Sequence, residues 1–343
     1  MSASNPSLVE ESNLRVLSIQ SHTVSGYCGN KAAVFPLQLL GFDVDILNTV
    51  QFSNHTGYPS FAGGRLTAEE VQTLFDGLEK NELTEDYTHL LTGYIGNYSI
   101  LEKIEMMVKK LKEQNPDLIF VCDTVMGDNG ALYVAAEIVP LYRNIMRYAY
   151  VVTPNQFEAE TLSEMKISSL EDTRQVAKKL HGLGTPNIVI TSLKLPLKHV
   201  PQEIQFENES TDESLYCFTS QELPNGELVQ HLISFPTYQG YFTGTGDLFS
   251  SLIVPRLQES MRNKTRHFLI EAVYRVVCSV NAITKKTWLY QQEYMQQRYG
   301  NEASEIKPNE AKAVRSCELR LIQSRKEIEQ SDLFREVVKS VQV

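Results

Sequence analysis

The chain has 343 residues, 42% of them hydrophobic, with 32 Lys and Arg against 42 Asp and Glu, giving a formal net charge of −10 and a pI near 5.3. That length supports a substantial core, in one large α/β domain or two smaller ones. The acidic balance argues against a nucleic-acid groove, which needs clustered Lys and Arg, so an anionic ligand must be met locally by a metal and backbone N–H groups.

Five cysteines, Cys28, Cys122, Cys217, Cys278 and Cys317, are odd in number, widely spaced and free of any C-x-x-C pair. Reduced structural thiols are therefore expected. No run of about 18 apolar residues is present, so no membrane span is expected. The polar start MSASNPSLVEESN lacks the apolar core of a signal peptide. The expected compartment is the cytosol, with entry to the nucleus open.

Residues Met1 to Asn13 are small, polar and acidic, and are expected to be a disordered tail. Arg15 to Ser21 alternates as a strand, and the turn-rich HTVSGYCGN leads into a helix from about Asn30 to Gly41 that Pro36 should kink or shorten. Val44, Ile46 and Val50 fall on a second strand. Thr67 and Glu70 form a capping box for a helix running to about Asn81. Strands at Thr88–Thr92, Leu118–Cys122, Tyr148–Thr153 and Ile188–Thr191 alternate with helices at Ser99–Gln114, at Leu132–Arg147, from Asn155 and from Leu170. Repeated βα units with apolar strands predict a mainly parallel sheet covered by helices on both faces.

Lys194 to Ser214 reads as a mobile acidic loop. Asn225-Gly226 between YCFTS and LVQHLISF marks a hairpin. Beyond Gly246 the chain is mostly helical, including a solvated, Gln-rich YQQEYMQQRYG segment. With no internal repeat and no linker, residues 14–343 are expected to form one domain.

Thr243-Gly244-Thr245-Gly246-Asp247 precedes an apolar helix, so its backbone N–H groups can line an anion hole with Asp247 facing the bound group. The plainer alternative makes Asp247 a helix N-cap. Asn155 and Glu158, three apart after Thr153-Pro154, suit either a water-mediated Mg²⁺ site or a second capping box. Asp123 and Asp128 flank a Gly127 turn at a strand's carboxyl end, where open α/β sheets bind ligands. Ser21, Val50, Phe52, His55, Thr56 and Tyr94 also follow strand ends, supplying hydroxyls and an apolar wall for a flat ring. The absence of G-x-x-x-x-G-K-[ST], H-R-D and D-F-G excludes P-loop enzymes and protein kinases, and no early Gly-x-Gly-x-x-Gly supports a dinucleotide oxidoreductase.

Taken in order, RVLSIQSH (15–22), GYCGN (26–30), VQFSNHTGY (50–58), LTGY (91–94), TPNQFEAE (153–160), GTGDLF (244–249) and ELRLIQS (318–324) resemble the pyridoxal kinase family of the ribokinase superfamily. The resemblance implies a ribokinase-like three-layer sandwich, usually a homodimer, acting on pyridoxal with MgATP and responding to K⁺. It implies Asp247 as base, Gly244, Thr245 and Gly246 as anion hole, and Ser21 and Thr56 on the pyridine ring's polar groups beneath Tyr94. It further implies Asp123, Thr153 and Glu158 toward the metal, with Asp123, Asp128, Tyr133, Asn155, Thr191, Ser192, Thr243 and Gly244 on the nucleotide side. The sequence departs from the family at Thr124, where Pro is expected, at Thr243, where an apolar residue is usual, and in a short lid between Asp128 and Tyr133. These departures touch nucleotide affinity and lid closure. Hydroxymethylpyrimidine kinase is the same-class alternative, argued against by VQFSNHTGY. A non-catalytic pyridoxal-phosphate-binding protein is the alternative of another class.

Overall fold

Short apolar runs become strands because their alternate side chains find partners on two sides. Val16 and Leu17 of β1 (Arg15–Thr23) enter opposite cores, as do Leu90 and Leu91 of β4 (His89–Thr92), and Phe120 and Val121 of β5 (Ile119–Cys122). The computed structural model describes residues 14–206 and 215–343, so the tail expected at 1–13 and residues 207–214 of the expected acidic loop lie outside the described residues.

The other strands of the same sheet are β2 (Asp43–Phe52), β3 (Gly63–Arg65), β8 (Val151–Val152), β9 (Asn187–Leu193), β10 (Leu215–Glu222), β11 (Leu228–Phe235) and β12 (Lys339–Gln342). Together with β1, β4 and β5 they build a 10-stranded sheet in the order β12-β11-β10-β9-β8-β5-β4-β1-β2-β3. From β2 to β9 every pairing is parallel, and β3, β10, β11 and β12 add antiparallel edges.

One face packs against α2 (Ala68–Lys80), α3 (Tyr98–Gln114), α4 (Ile138–Met146), α5 (Gln156–Ser163) and α6 (Leu170–His181). The other packs against α1 (Asn30–Leu39), α7 (Thr245–Arg262) and α8 (Phe268–Tyr299), with α9 (Ala311–Ser316) and α10 (Arg325–Glu329) following. This is the three-layer, mainly parallel α/β sandwich expected. The chain steps from β1 to β2 on one side and returns to β4 on the other, so a topological switch point lies at the carboxyl ends of β1 and β4, where open sheets hold ligands.

Local signals held in several places. Thr67 and Glu70 exchange both bonds of a capping box, and Gly226 takes φ 80° in the β10–β11 turn. Pro36 sits buried inside α1, which ends one turn later. The helix expected from Leu132 starts only at Ile138. A second, two-stranded sheet takes its place: β6 (Gly127–Asp128) pairs with β7 (Ala131–Leu132), and Asn129 and Gly130 carry the positive φ values, 50° and 82°, that a type I′ turn requires. The strand expected at Tyr148–Thr153 shrinks to β8, and β3 and β12 form without an apolar run of their own. All five cysteines are free thiols.

Candidate active site

The carboxyl ends of the parallel strands gather most of the expected residues into one region. Asp247 lies in the first turn of α7, whose N-cap is Gly244 at φ 87°. A side chain at Gly244 would run into the Tyr27 carbonyl at 2.1 Å, so the turn needs glycine there. Asp247 does not cap its own helix. Its Oδ2 accepts a hydrogen bond from the Gly29 amide at 2.8 Å, and the Cys28 thiol donates to the same carboxylate. Burial lifts the Asp247 carboxyl above its ordinary value, and the Gly29 and Cys28 donors oppose that lift. Gly29 in turn packs against the Ser21 backbone so closely that a Cβ would meet the Ser21 carbonyl at 2.0 Å.

A second group of acids lies beside the first. Asp123, just past β5, is buried, and its carboxyl is pushed well above the usual range by burial, then by the charges of Glu158 and Asp247, with the Ser250 and Thr153 hydroxyls pulling the other way. Glu158 is 3% exposed, and burial pushes its carboxyl up to about 8. Three amides donate to it, Met126 at 2.9 Å, Gly127 at 3.4 Å and Asn155 at 2.9 Å. Glu158 therefore completes the capping box with Asn155 and also grips the base of the β6–β7 hairpin, while Asn155 Nδ2 donates to the Gly127 carbonyl at 2.8 Å. Among the described residues, no Lys or Arg pairs with Asp123 or Glu158.

Asp128 turns toward its own hairpin, accepting from the Asn129 backbone and side-chain amides at 2.7 and 3.0 Å. Tyr133 is exposed and shares a hydrogen bond with Tyr241, from the segment leading to the anion hole. Thr191, near the end of β9, donates its amide to the Pro154 carbonyl at 2.9 Å, which sets Thr191 and Ser192 beside the Thr153–Asn155 segment. Thr243 Oγ1 lies 3.8 Å from where a Cβ on Gly57 would stand, so the anion-hole turn meets the His55–Gly57 loop.

Not every expected residue joins these groups. Phe52 is buried at the sheet edge, its ring 4.8 Å from Phe61 and under the Arg65 guanidinium. Val50 is core. Thr56 is exposed on its loop. Tyr94 folds its hydroxyl back over Gly96, where a Cβ would meet it at 2.3 Å.

Comparison with known proteins gives a consistent result. A family model described as phosphomethylpyrimidine kinase matches residues 86–285. The pyridoxal kinase of Arabidopsis thaliana is 42% identical over 316 residues, covering 92% of this chain and 91% of that protein. The chain belongs to the pyridoxal kinase family. The Homo sapiens pyridoxal kinase is 36% identical over 332 residues, covering 94% of this chain and 97% of its own. Among solved structures, the pyridoxal kinase from Leishmania donovani in complex with ADP and pyridoxamine superposes with a TM-score of 0.77 at 33% identity, over 96% of this chain and 99% of that one.

Within this pyridoxal kinase scaffold, sequence reasoning missed three contributors. Gly29 and Cys28 lie in the quoted GYCGN string, but their hold on Asp247 spans 218 residues. Glu318 lies in the quoted ELRLIQS string, where no role attached to it. Its carboxylate accepts from the Tyr27 amide at 3.1 Å and the Tyr58 hydroxyl at 3.0 Å, contacts that only the folded chain brings together.

Proposed function

We propose that this chain transfers the γ-phosphoryl group of ATP to the 5′-hydroxymethyl group of pyridoxal, and of pyridoxine and pyridoxamine, forming the 5′-phosphate. The observation that carries the reading is the placement of Asp247: a carboxylate of raised basicity, at the amino end of α7, in a glycine turn at the sheet's ligand-binding edge. One precedent is the Leishmania donovani enzyme, whose structure holds ADP with pyridoxamine.

Asp247 accepts the proton of the attacking hydroxyl. Gly29 keeps the carboxylate aimed, and the Gly244–Gly246 amides stabilise charge on the transferring group. Phosphoryl transfer passes through a loose transition state, so positioning and charge compensation do most of the work. By family resemblance Ser21 and Thr56 would meet the ring's polar groups and Tyr94 would cover it, which requires Thr56 to turn inward from its exposed loop and Tyr94 to leave its place over Gly96.

Mg²⁺ fits the acidic pair. Asp123 and Glu158 are buried without a cationic partner among the described residues, and burial raises both, so a divalent ion there would relieve their mutual repulsion. Among the described residues no group of three or more His, Cys, Asp or Glu is placed to chelate a metal directly. Asp123, Thr153 and Glu158 would hold the ion, Glu158 through its water shell, and it would neutralise phosphate charge when bound. K⁺ activation and a homodimer rest on the family resemblance. Exchange of KCl for NaCl in the assay tests the first, and sedimentation tests the second. Among the described residues no helix is long and apolar enough to cross a membrane. A cytosolic location is our reading, tested by cell fractionation.

The deciding experiment is ADP release by the purified chain with MgATP and K⁺. Pyridoxal should stimulate it well above the substrate-free rate, and no stimulation sinks the kinase reading. Hydroxymethylpyrimidine, the same-class alternative, is the second substrate to assay, and a preference for it over pyridoxal would reassign the acceptor.

A further inference from the structure

Glu318 lies between α9 and α10, about as far along the chain from the ring-side loops as the sequence allows, yet its carboxylate is 16% exposed and fully engaged. Oε2 accepts from the Tyr27 amide at 3.1 Å, and Oε1 accepts from the Tyr58 hydroxyl at 3.0 Å. Oε1 also stands 3.4 Å from His55 Nε2. The Gly57 amide donates to His55 Nδ1 at 3.2 Å, so Nδ1 is an acceptor and the proton sits on Nε2, facing Glu318. Gly26, at φ 85°, lies so near that a Cβ would fall 2.3 Å from Oε1.

Burial alone would favour the neutral acid. The donors from His55, Tyr27 and Tyr58 outweigh it and hold the Glu318 carboxyl below the ordinary glutamate value.

Two loops converge on this one carboxylate. The first, residues 25–29, ends on Gly29, whose amide aims Asp247. The second, residues 53–58, carries Thr56 and begins where β2 ends. None of the hydrogen-bond or ion-pair partners of Glu318 given above lies on the nucleotide-side segments 123–133, 153–158 or 191–192. We infer that Glu318 is a positioning residue for the ring substrate, clamping the two loops together and fixing the His55 tautomer, so that the C-terminal segment sets the geometry of acceptor binding. The inference rests on the pyridoxal reading of the site.

Such a role splits the kinetic constants in a way that a general structural contribution would not. Glu318→Gln keeps the shape, but its amide end replaces one acceptor oxygen with a donor, leaving at least one of three donors unmatched. It should raise the KM for pyridoxal about tenfold or more while leaving the KM for ATP within about twofold. Glu318→Asp, which keeps the charge, should recover part of the loss. Tyr58→Phe removes one donor and should raise the pyridoxal KM about threefold, with a less than multiplicative effect when combined with Glu318→Gln. An active wild type whose Glu318→Gln form shows an unchanged pyridoxal KM, or an equal rise for ATP, overturns the positioning role alone. If Glu318→Gln does not fold, Tyr58→Phe decides, and an unchanged pyridoxal KM in it overturns the role. A wild type with no pyridoxal-dependent ADP release overturns the functional reading and this inference with it.

Discussion

The Asp247 carboxylate reaches across to the Gly29 amide, whereas a capping carboxylate would turn back to the amides of its own first turn. The difference is measurable in one substitution. Asparagine equals aspartate as a cap but cannot take a proton, so Asp247→Asn should keep pyridoxal and ATP affinity within about threefold and lower kcat about 10²- to 10⁴-fold, the usual cost of losing a general base. A kcat within about threefold of wild type would refute the base assignment. Glu158 gives a second residue-scale prediction, about pH. With its folded value at about 8 against an ordinary 4.5, Glu158 keeps its proton in the folded protein where the unfolded chain has lost it. Folded Glu158 thus contributes stability that is fully present below about 4.5 and lost as pH rises through about 8. Wild type without metal or nucleotide should therefore melt lower at pH 8 than at pH 6, and Glu158→Gln should flatten that slope. Equal slopes in a melting series would show that Glu158 is ionised throughout. In the assay the same variant should need more Mg²⁺ for half-maximal rate, with excess Mg²⁺ restoring part of the activity.

At the scale of elements, the parallel strands were legible because burial on two faces writes apolar runs into the sequence, and the helices because caps and proline stops mark their ends. What the sequence concealed follows from the same physics. β3, with Gly63, Gly64 and Arg65, and β12 are edge strands whose bonds come from a neighbour's free edge and need no apolar pattern. The β6–β7 hairpin leaves no strand pattern in the sequence, although Asn129-Gly130 is the same turn dipeptide as Asn225-Gly226, because its strands are two residues long. The site divides along the same line: Ser21, Asp123, Asn155, Glu158 and Asp247 sit in local motifs, whereas Glu318 depends on contacts 260 and 291 residues away. The hairpin supports a prediction of its own. Its base is tied by Glu158, Asn155 and the Tyr133 amide bonded to the Met126 carbonyl, so the proposed lid movement over nucleotide belongs to its Asn129-Gly130 tip. Hydrogen exchange with an ATP analogue should slow at the tip, 128–132, and stay unchanged at the base, at Met126 and Gly127, held by Glu158, and at Tyr133, held by the Met126 carbonyl. Identical exchange at the tip with and without the analogue would remove the lid.

For the whole molecule, the question is whether residues 14–343 unfold together, as one domain must, or whether the C-terminal segment melts separately. The segment is stitched into both layers it touches. β12 extends the sheet through β11, Val341 and Val343 join one core and Val338 the other, and the Tyr274 hydroxyl of α8 donates to the Val338 carbonyl at 2.7 Å. Deeper in, the fully buried Arg256 of α7 pairs with Glu259 at 2.8 Å and donates to the Ile328 and Glu329 carbonyls of α10, while Ser279 of α8 donates to the Glu327 carbonyl at 2.7 Å. Arg256 thus connects the helix that carries Asp247 to the segment that carries Glu318. Removing Arg256 leaves the buried Ile328 and Glu329 carbonyls without its donors, at about 1–3 kcal/mol for each group left unsatisfied, while the partly exposed Glu259 keeps its pair with Arg275 at 2.7 Å. If the chain is one cooperative unit, Arg256→Ala should move a single calorimetric transition down by several degrees, with the calorimetric and van't Hoff enthalpies still in agreement. If the C-terminal segment is an independent unit, the variant should instead show an early, small transition for that segment and leave the main one in place. Wild type should show one transition, and two resolved transitions in it would divide the chain into separate domains whatever the variant does.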